Sequence, residues 1–176
     1  MIRTSDINAA AAKAFRLGTH RIVVPEETLA RASPFMRIMG ITRVANVTGL
    51  DTVGIPVVMV CRPNSRSLAV SQGKGLDLMA AKASGLMESI EQYHAERVSL
   101  PLRLASYEEL RYTDRVVDVT TLPHIAGGLF HPNLRLLWIE GFDLLQDEAV
   151  WVPYELVHTD YTLPPVTGGG CFPPHF

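Results

Sequence analysis

Within Ser84-Gly-Leu-Met-Glu-Ser-Ile-Glu91, one hydroxyl and two carboxylates recur at intervals of four and three residues. On a helix turning about 100° per residue, Ser84, Glu88 and Glu91 fall within about 60° of one another. Two acids three residues apart repel by a few tenths of a kcal/mol unless a cation lies between them. Hard divalent cations such as magnesium take carboxylate oxygens and keep waters or phosphate oxygens, so the pair suits magnesium bound together with a nucleotide. Glutamates at this spacing are also common on solvated helix faces, and the spacing alone leaves both readings open.

Just upstream, Gln72-Gly-Lys-Gly75 reads as a loop leading into that helix. Glycines let backbone N–H groups approach an anion, a helix N-terminus favours negative charge, and Lys74 adds a full positive charge for phosphate. The spacing is not that of a Walker A loop. Ser84 has no His or Asp at a spacing that would make it a nucleophile. The six histidines are scattered without metal-ligand spacing. Cys61 and Cys171 are far apart, and neither a zinc site nor a disulfide framework is expected of them.

The carrier of the carboxylates is a predicted helix over 78–97, with Asp77 as its N-cap. Met79, Ala83, Leu86, Met87, Ile90 and His94 form its apolar stripe, expected to face a sheet, with His94 a packed core residue. Before it, Val-rich runs at 43–50, 56–61 and 68–72 are separated by Gly49, Gly54 and the Pro63 segment, which predicts consecutive antiparallel strands. Earlier still, Pro25 opens a helix with Glu26 and Glu27 in its first turn. Pro34 should kink it or break it early, and Gly40 should end it.

After Pro101 the pattern weakens. Ser106-Tyr-Glu-Glu109 has the form of a capping box, 120–133 reads as loop, and 134–140 and 149–154 read as two further strands turning near Gln146 and Asp147. Trp138 and Trp151 fall on those strands, where packing across the pair accounts for them. From Leu163 onward proline and glycine dominate, and 163–176 is expected to be an irregular tail. The expected fold is α+β, a single domain over 1–176 with a mainly antiparallel sheet and helices packed on one face.

The 176 residues are 47% hydrophobic and 19% charged, with a net charge of −2, a composition suited to a folded core and poorly suited to nucleic acid or an anionic membrane. The N-terminal segment makes a poor signal peptide, and no apolar run approaches the roughly 20 residues of a membrane helix. A cytoplasmic location is expected.

Gly49-Leu-Asp51, Gly54-Ile-Pro-Val57, Ser71-Gln-Gly-Lys-Gly75 and Ser84-x-x-x-Glu88-x-x-Glu91 together resemble the N-terminal half of a YcaO domain. Gly18-Thr-His-Arg21, Pro25-Glu-Glu-Thr28 and the run from Gly40 to Leu50 are similar to YcaO members encoded beside TfuA proteins. The resemblance covers roughly residues 15–172. It implies ATP- and magnesium-dependent activation of peptide backbone amides, giving azolines or thioamides, with the TfuA association favouring thioamides. It implies ATP and magnesium contacts for Ser84, Glu88 and Glu91, and nucleotide contacts for Arg21 and Thr28. A peptide or protein substrate and a TfuA-type partner are implied; self-association is expected separately, because a missing half of the domain would expose core surface, and the resemblance assigns no catalytic residue.

In the family, the segment resembling Gly168-Gly-Gly-Cys-Phe172 continues into a helix bearing further Asn, Glu and Arg ligands. Here it reads Pro173-Pro-His-Phe176. A truncated domain, weak or inactive by itself, is therefore expected. The competing reading is a non-catalytic fragment or a module that binds a peptide or partner.

Overall fold

The computed structural model describes residues 12–124 and 130–162. The expected tail, with Cys171 and the Gly168 to Phe172 motif, lies outside the described residues. The chain divides into two compact units, Met1–His94 and Ala95–Phe176. Each contains one three-stranded antiparallel sheet, so the expected α+β class holds, with the strands in two sheets instead of one.

In the first unit, α1 (Pro25–Ala32) starts on its proline and places Glu26 and Glu27 in the first turn. Glu27 pairs with Arg31 one turn on. Pro34 shortens the helix as anticipated, since Ser33–Phe35 is a 3-10 turn. Gly40, at φ +70°, closes the segment in the left-handed region that glycine adopts without a Cβ penalty. Three strands follow, β1 (Arg43–Asn46), β2 (Val57–Cys61) and β3 (Val70–Lys74), in the order β1-β2-β3. β1 is shorter than the run 43–50 because the Asn46 side-chain oxygen accepts the Thr48 N–H at 3.0 Å and starts the turn.

Gln72, Gly73 and Lys74 are not loop residues. They pair with Met59, Val58 and Val57 as the end of β3. Gly73 is glycine because α2 (Leu78–Ala95) lies directly on it: a Cβ there would overlap the Ala81 carbonyl oxygen and come within 2.7 Å of the Gly85 Cα. From the helix side, a Cβ on Gly85 would lie 3.0 Å from the Gly73 nitrogen and 3.2 Å from Val60 Cγ2. The small residues Ala81, Gly85 and Ser89, spaced four apart, therefore seat α2 on the sheet, and all three are buried.

That seating corrects the expected apolar stripe. Met87 and His94 are exposed, although Ala83 and Leu86 are buried and Ile90 packs against the core. His94 stands edge-on to Tyr93 at the surface and is not a core residue. The core gathers Ala32, Ile41, Val58, Val60, Ala81 and Leu86. Arg62, 2% exposed, donates to the carbonyls of Met39 at 3.2 Å and Ser89 at 3.3 Å, tying the segment after α1 to α2.

In the second unit, β4 (Leu102–Ser106), β5 (Arg135–Asp143) and β6 (Glu148–Pro153) form a sheet in that order. β4 lies in the stretch where the pattern weakened. Leu102, Arg103 and Leu104 are all exposed, so its burial does not alternate as a half-buried strand should. Ser106 and Glu109 close the capping box of α3 (Tyr107–Leu110). Trp138 is fully buried with its indole N–H donated to the Ala105 carbonyl at 2.9 Å, and Trp151 packs against the same cluster. No described helix is long and apolar enough to cross a membrane.

Candidate functional site

Helix α2 delivers the site because its seating through Gly85 turns the flank bearing Ser84, Glu88 and Glu91 away from the closest sheet contact. Asp77 caps it, its side-chain oxygen accepting the Ala80 N–H at 2.7 Å. This carboxylate occupies the anion position at the helix N-terminus. The trio begins more than a turn further along.

Ser84, Glu88 and Glu91 line a cleft of about 450 Å³ together with Arg21, Met87 and Ile90. Ser84 and Glu88 are half-buried and Glu91 is exposed. Arg21 is held from the other side by a short antiparallel bridge in which its N–H donates to Phe15 at 2.9 Å and its carbonyl accepts from Phe15 at 3.1 Å. Between them Gly18, at φ +70°, turns the chain so closely over Leu76 that a Cβ would lie 2.6 Å from Leu76 Cδ1. Packing ahead of α2 thus fixes where Arg21 enters.

The Arg21 Nε is buried and has no hydrogen-bond partner. Among the described residues, Glu88 and Glu91 form no ion pair with it or with any other cation. A guanidinium and two carboxylates facing one cleft without neutralising each other form a bipolar site. The arginine suits a phosphate and the glutamates a hard cation. Magnesium is compatible with this donor set, and Glu88 and Glu91 are the side chains in the cleft that could hold it. Among the described residues no group of three or more His, Cys, Asp or Glu could hold a metal, so waters and phosphate oxygens would supply the remaining positions.

Of the residues anticipated from sequence, the cleft brings together Arg21, Ser84, Glu88 and Glu91. Thr28 and Lys74 do not line it. The Thr28 hydroxyl donates back to the Val24 carbonyl at 3.4 Å within α1. Lys74 is exposed at the end of β3, and the glycines beside it serve helix packing instead of an anion cradle. Met87 and Ile90 were not anticipated as cleft residues. Their positions one before and two after Glu88 place them on the adjoining flank of the same helix, a signal available from the helical wheel.

The family described as YcaO cyclodehydratase, ATP- and Mg2+-binding, matches residues 72–175. A protein of Mycobacterium tuberculosis is 44% identical over 144 residues, 82% of this chain and 33% of the relative. A protein of Rhizobium leguminosarum bv. trifolii encoded in the tfuA 3′ region is 37% identical over 142 residues, 80% of this chain and 34% of the relative. The chain spans about a third of the length of these curated relatives. Among solved structures, YcaO from Methanopyrus kandleri bound with AMPPCP and Mg2+ matches with TM-score 0.66 at 24% identity, over 94% of this chain and 40% of that one. A heterocyclase in complex with substrate and cofactor matches with TM-score 0.68 at 19% identity, over 89% of this chain and 25% of that one. At these identities the two structures speak for the shared fold.

Proposed function

This chain belongs to the YcaO family, and from that premise we propose that its cleft binds ATP with magnesium, as part of an enzyme that activates peptide backbone amides to form azolines or thioamides. The observation that carries the reading is the convergence of Arg21 with Ser84, Glu88 and Glu91 on one cleft, across more than sixty residues of sequence. The solved relative bound with AMPPCP and Mg2+ supports the ligand.

Bound magnesium would offset the triphosphate's charge and hold its oxygens against Glu88 and Glu91. Arg21 would pair with phosphate oxygens, and the Ser84 hydroxyl could donate to or accept from the same group. Phosphoryl transfer depends mainly on such positioning and charge neutralisation. Thr28 and Lys74 remain part of the proposed nucleotide contacts, at a greater remove because neither lines the cleft.

The substrate proposed is a peptide or protein, supported by the heterocyclase relative solved with its substrate. A TfuA-type partner and a thioamide product are proposed on the relative encoded in the tfuA 3′ region. The cytoplasm is the proposed location. Because the chain spans a third of its relatives, turnover by the whole protein belongs to this proposal, and the decisive test concerns binding.

Calorimetry of Mg2+ and ATP with the 176-residue chain should show saturable binding that Glu88→Gln/Glu91→Gln abolishes. Equal binding by both proteins, or none by either, would remove the nucleotide site and leave a peptide- or partner-binding module as the better reading.

A further inference from the structure

The cleft has a second chemical flank beside its charged one. Among the residues of α2, only Met87, Glu91 and His94 are exposed. Met87, at 43% exposure, is the one apolar side chain of the three. It lines the cleft with Ile90, whose other side is packed against the core. At about 100° per residue, Met87 and Ile90 form a flank about 100° further round the helix than the centre of Ser84, Glu88 and Glu91. A single small cleft therefore offers charged and hydroxyl groups along one side and an apolar wall, rooted in the core at Ile90, along the other.

A nucleoside triphosphate divides in the same way, into a polyanionic chain and a flat ring with apolar faces. A thioether is polarisable and contacts aromatic rings favourably, which makes methionine well suited to such a face. The cleft's volume of about 450 Å³ lies in the range of small-molecule sites, about 300–1,000 Å³, which favours a nucleobase over an extended peptide as the occupant of this wall.

Resting on the nucleotide reading above, we propose that Met87 and Ile90 are the base-binding wall of the site. The wall takes the face of the purine ring while the Arg21, Ser84, Glu88 and Glu91 flank takes the magnesium-bound phosphates. Met87 is then a determinant of affinity for the nucleoside and contributes nothing to affinity for the phosphate chain.

Calorimetry with the 176-residue chain, using Mg2+ with ATP and separately Mg2+ with inorganic tripolyphosphate, separates the two flanks. Met87→Ser should weaken ATP binding by about two- to twelvefold, the range of one thioether–aromatic contact, and leave tripolyphosphate binding unchanged. Met87→Leu should keep most of the ATP affinity, and Glu88→Gln should weaken both ligands. Urea midpoints check that these substitutions leave the fold intact. If Met87→Ser weakens both ligands equally, or neither, or if the unaltered chain binds tripolyphosphate as tightly as ATP, the base wall is overturned while the nucleotide site stands. If the unaltered chain binds neither ligand, the nucleotide reading falls and the wall falls with it.

Discussion

The Cα of Gly85 lies 2.7 Å from the point that a Cβ on Gly73 would occupy, so strand β3 and helix α2 meet backbone to backbone. That contact sets both the distance of α2 from the sheet and its rotation, and hence which side chains reach the cleft. Gly73→Ala forces backbone apart and should cost more than about 3 kcal/mol, beyond the ordinary range for an added methyl in a packed core. Gly85→Ala meets looser neighbours and gains about 1 kcal/mol of helix propensity, so its net cost should be about 0–2 kcal/mol. Urea unfolding of the two variants measures the difference. Equal, small effects would show that the seam does not govern the seating of the helix.

The carboxylates should affect stability and binding in opposite directions. Among the described residues Glu88 and Glu91 have no cationic partner, so in the absence of a ligand their repulsion is uncompensated. Glu88→Gln relieves a like-charge pair at i, i+3 and should leave stability unchanged or raised by up to about 0.5 kcal/mol. The same substitution should weaken magnesium-dependent ATP binding. A loss of more than about 1 kcal/mol in urea would instead identify Glu88 as a structural residue.

Two cations were legible near the site, and the structure ranks them. Arg21 lines the cleft with a buried Nε that has no hydrogen-bond partner, while Lys74 is exposed on β3 outside the lining. Hydrogen bonds between charged groups contribute about 1.5–3 kcal/mol, so Arg21→Ala should weaken Mg·ATP by at least about tenfold. Lys74→Ala, acting through solvent and screened by salt, should cost about threefold or less and lose its effect at about 0.5 M salt. Titrations at two ionic strengths check the ranking. A larger effect from Lys74 would move the phosphates toward the β3 end.

What the sequence revealed and what it concealed can be traced to particular residues. Strand β2, the start of β3, the helix behind Asp77 and the Ser106 capping box were legible because apolar periodicity and capping chemistry are local signals. The seating of α2 was not legible, because hydrophobicity points to Leu86, Met87 and Ile90 while the tightest contact is made by residues with almost no side chain. The glycine at position 73 looked like an anion cradle since close approach of backbone to phosphate and close approach of backbone to helix demand the same residue. Strand β4 was missed since its first three residues are exposed, and a strand without alternating burial leaves little periodic trace. The carboxylate spacing could be read directly, whereas Arg21 was reached only through the family resemblance, and the fold shows that it shares their cleft.

In the second unit, His158 links acidity to stability. Its ring stacks on Tyr154 with centroids 4.6 Å apart, and its Nδ1 accepts the Asp160 N–H at 3.2 Å, a bond that requires Nδ1 to be unprotonated. Burial holds the imidazole pKa below its ordinary 6.5, against the opposing pull of Asp160 and Glu155. The folded state therefore binds fewer protons than the unfolded chain between the lowered and the ordinary value. Stability should be fully present above the ordinary value and fall as pH drops through it, levelling off once the folded-state value is passed. The carboxyls of Glu109, Asp114 and Asp118, held below their ordinary values by hydrogen bonds from Ser106, Thr113 and Thr120 respectively, lose their contribution only at lower pH. Urea midpoints should therefore decline between about pH 7.5 and 5 in the unaltered chain. In His158→Gln, which keeps a polar side chain but cannot titrate, the decline over that interval should be much shallower. Matching slopes in the two proteins would assign the pH response to other groups and leave the Tyr154–His158 stack a packing contact alone.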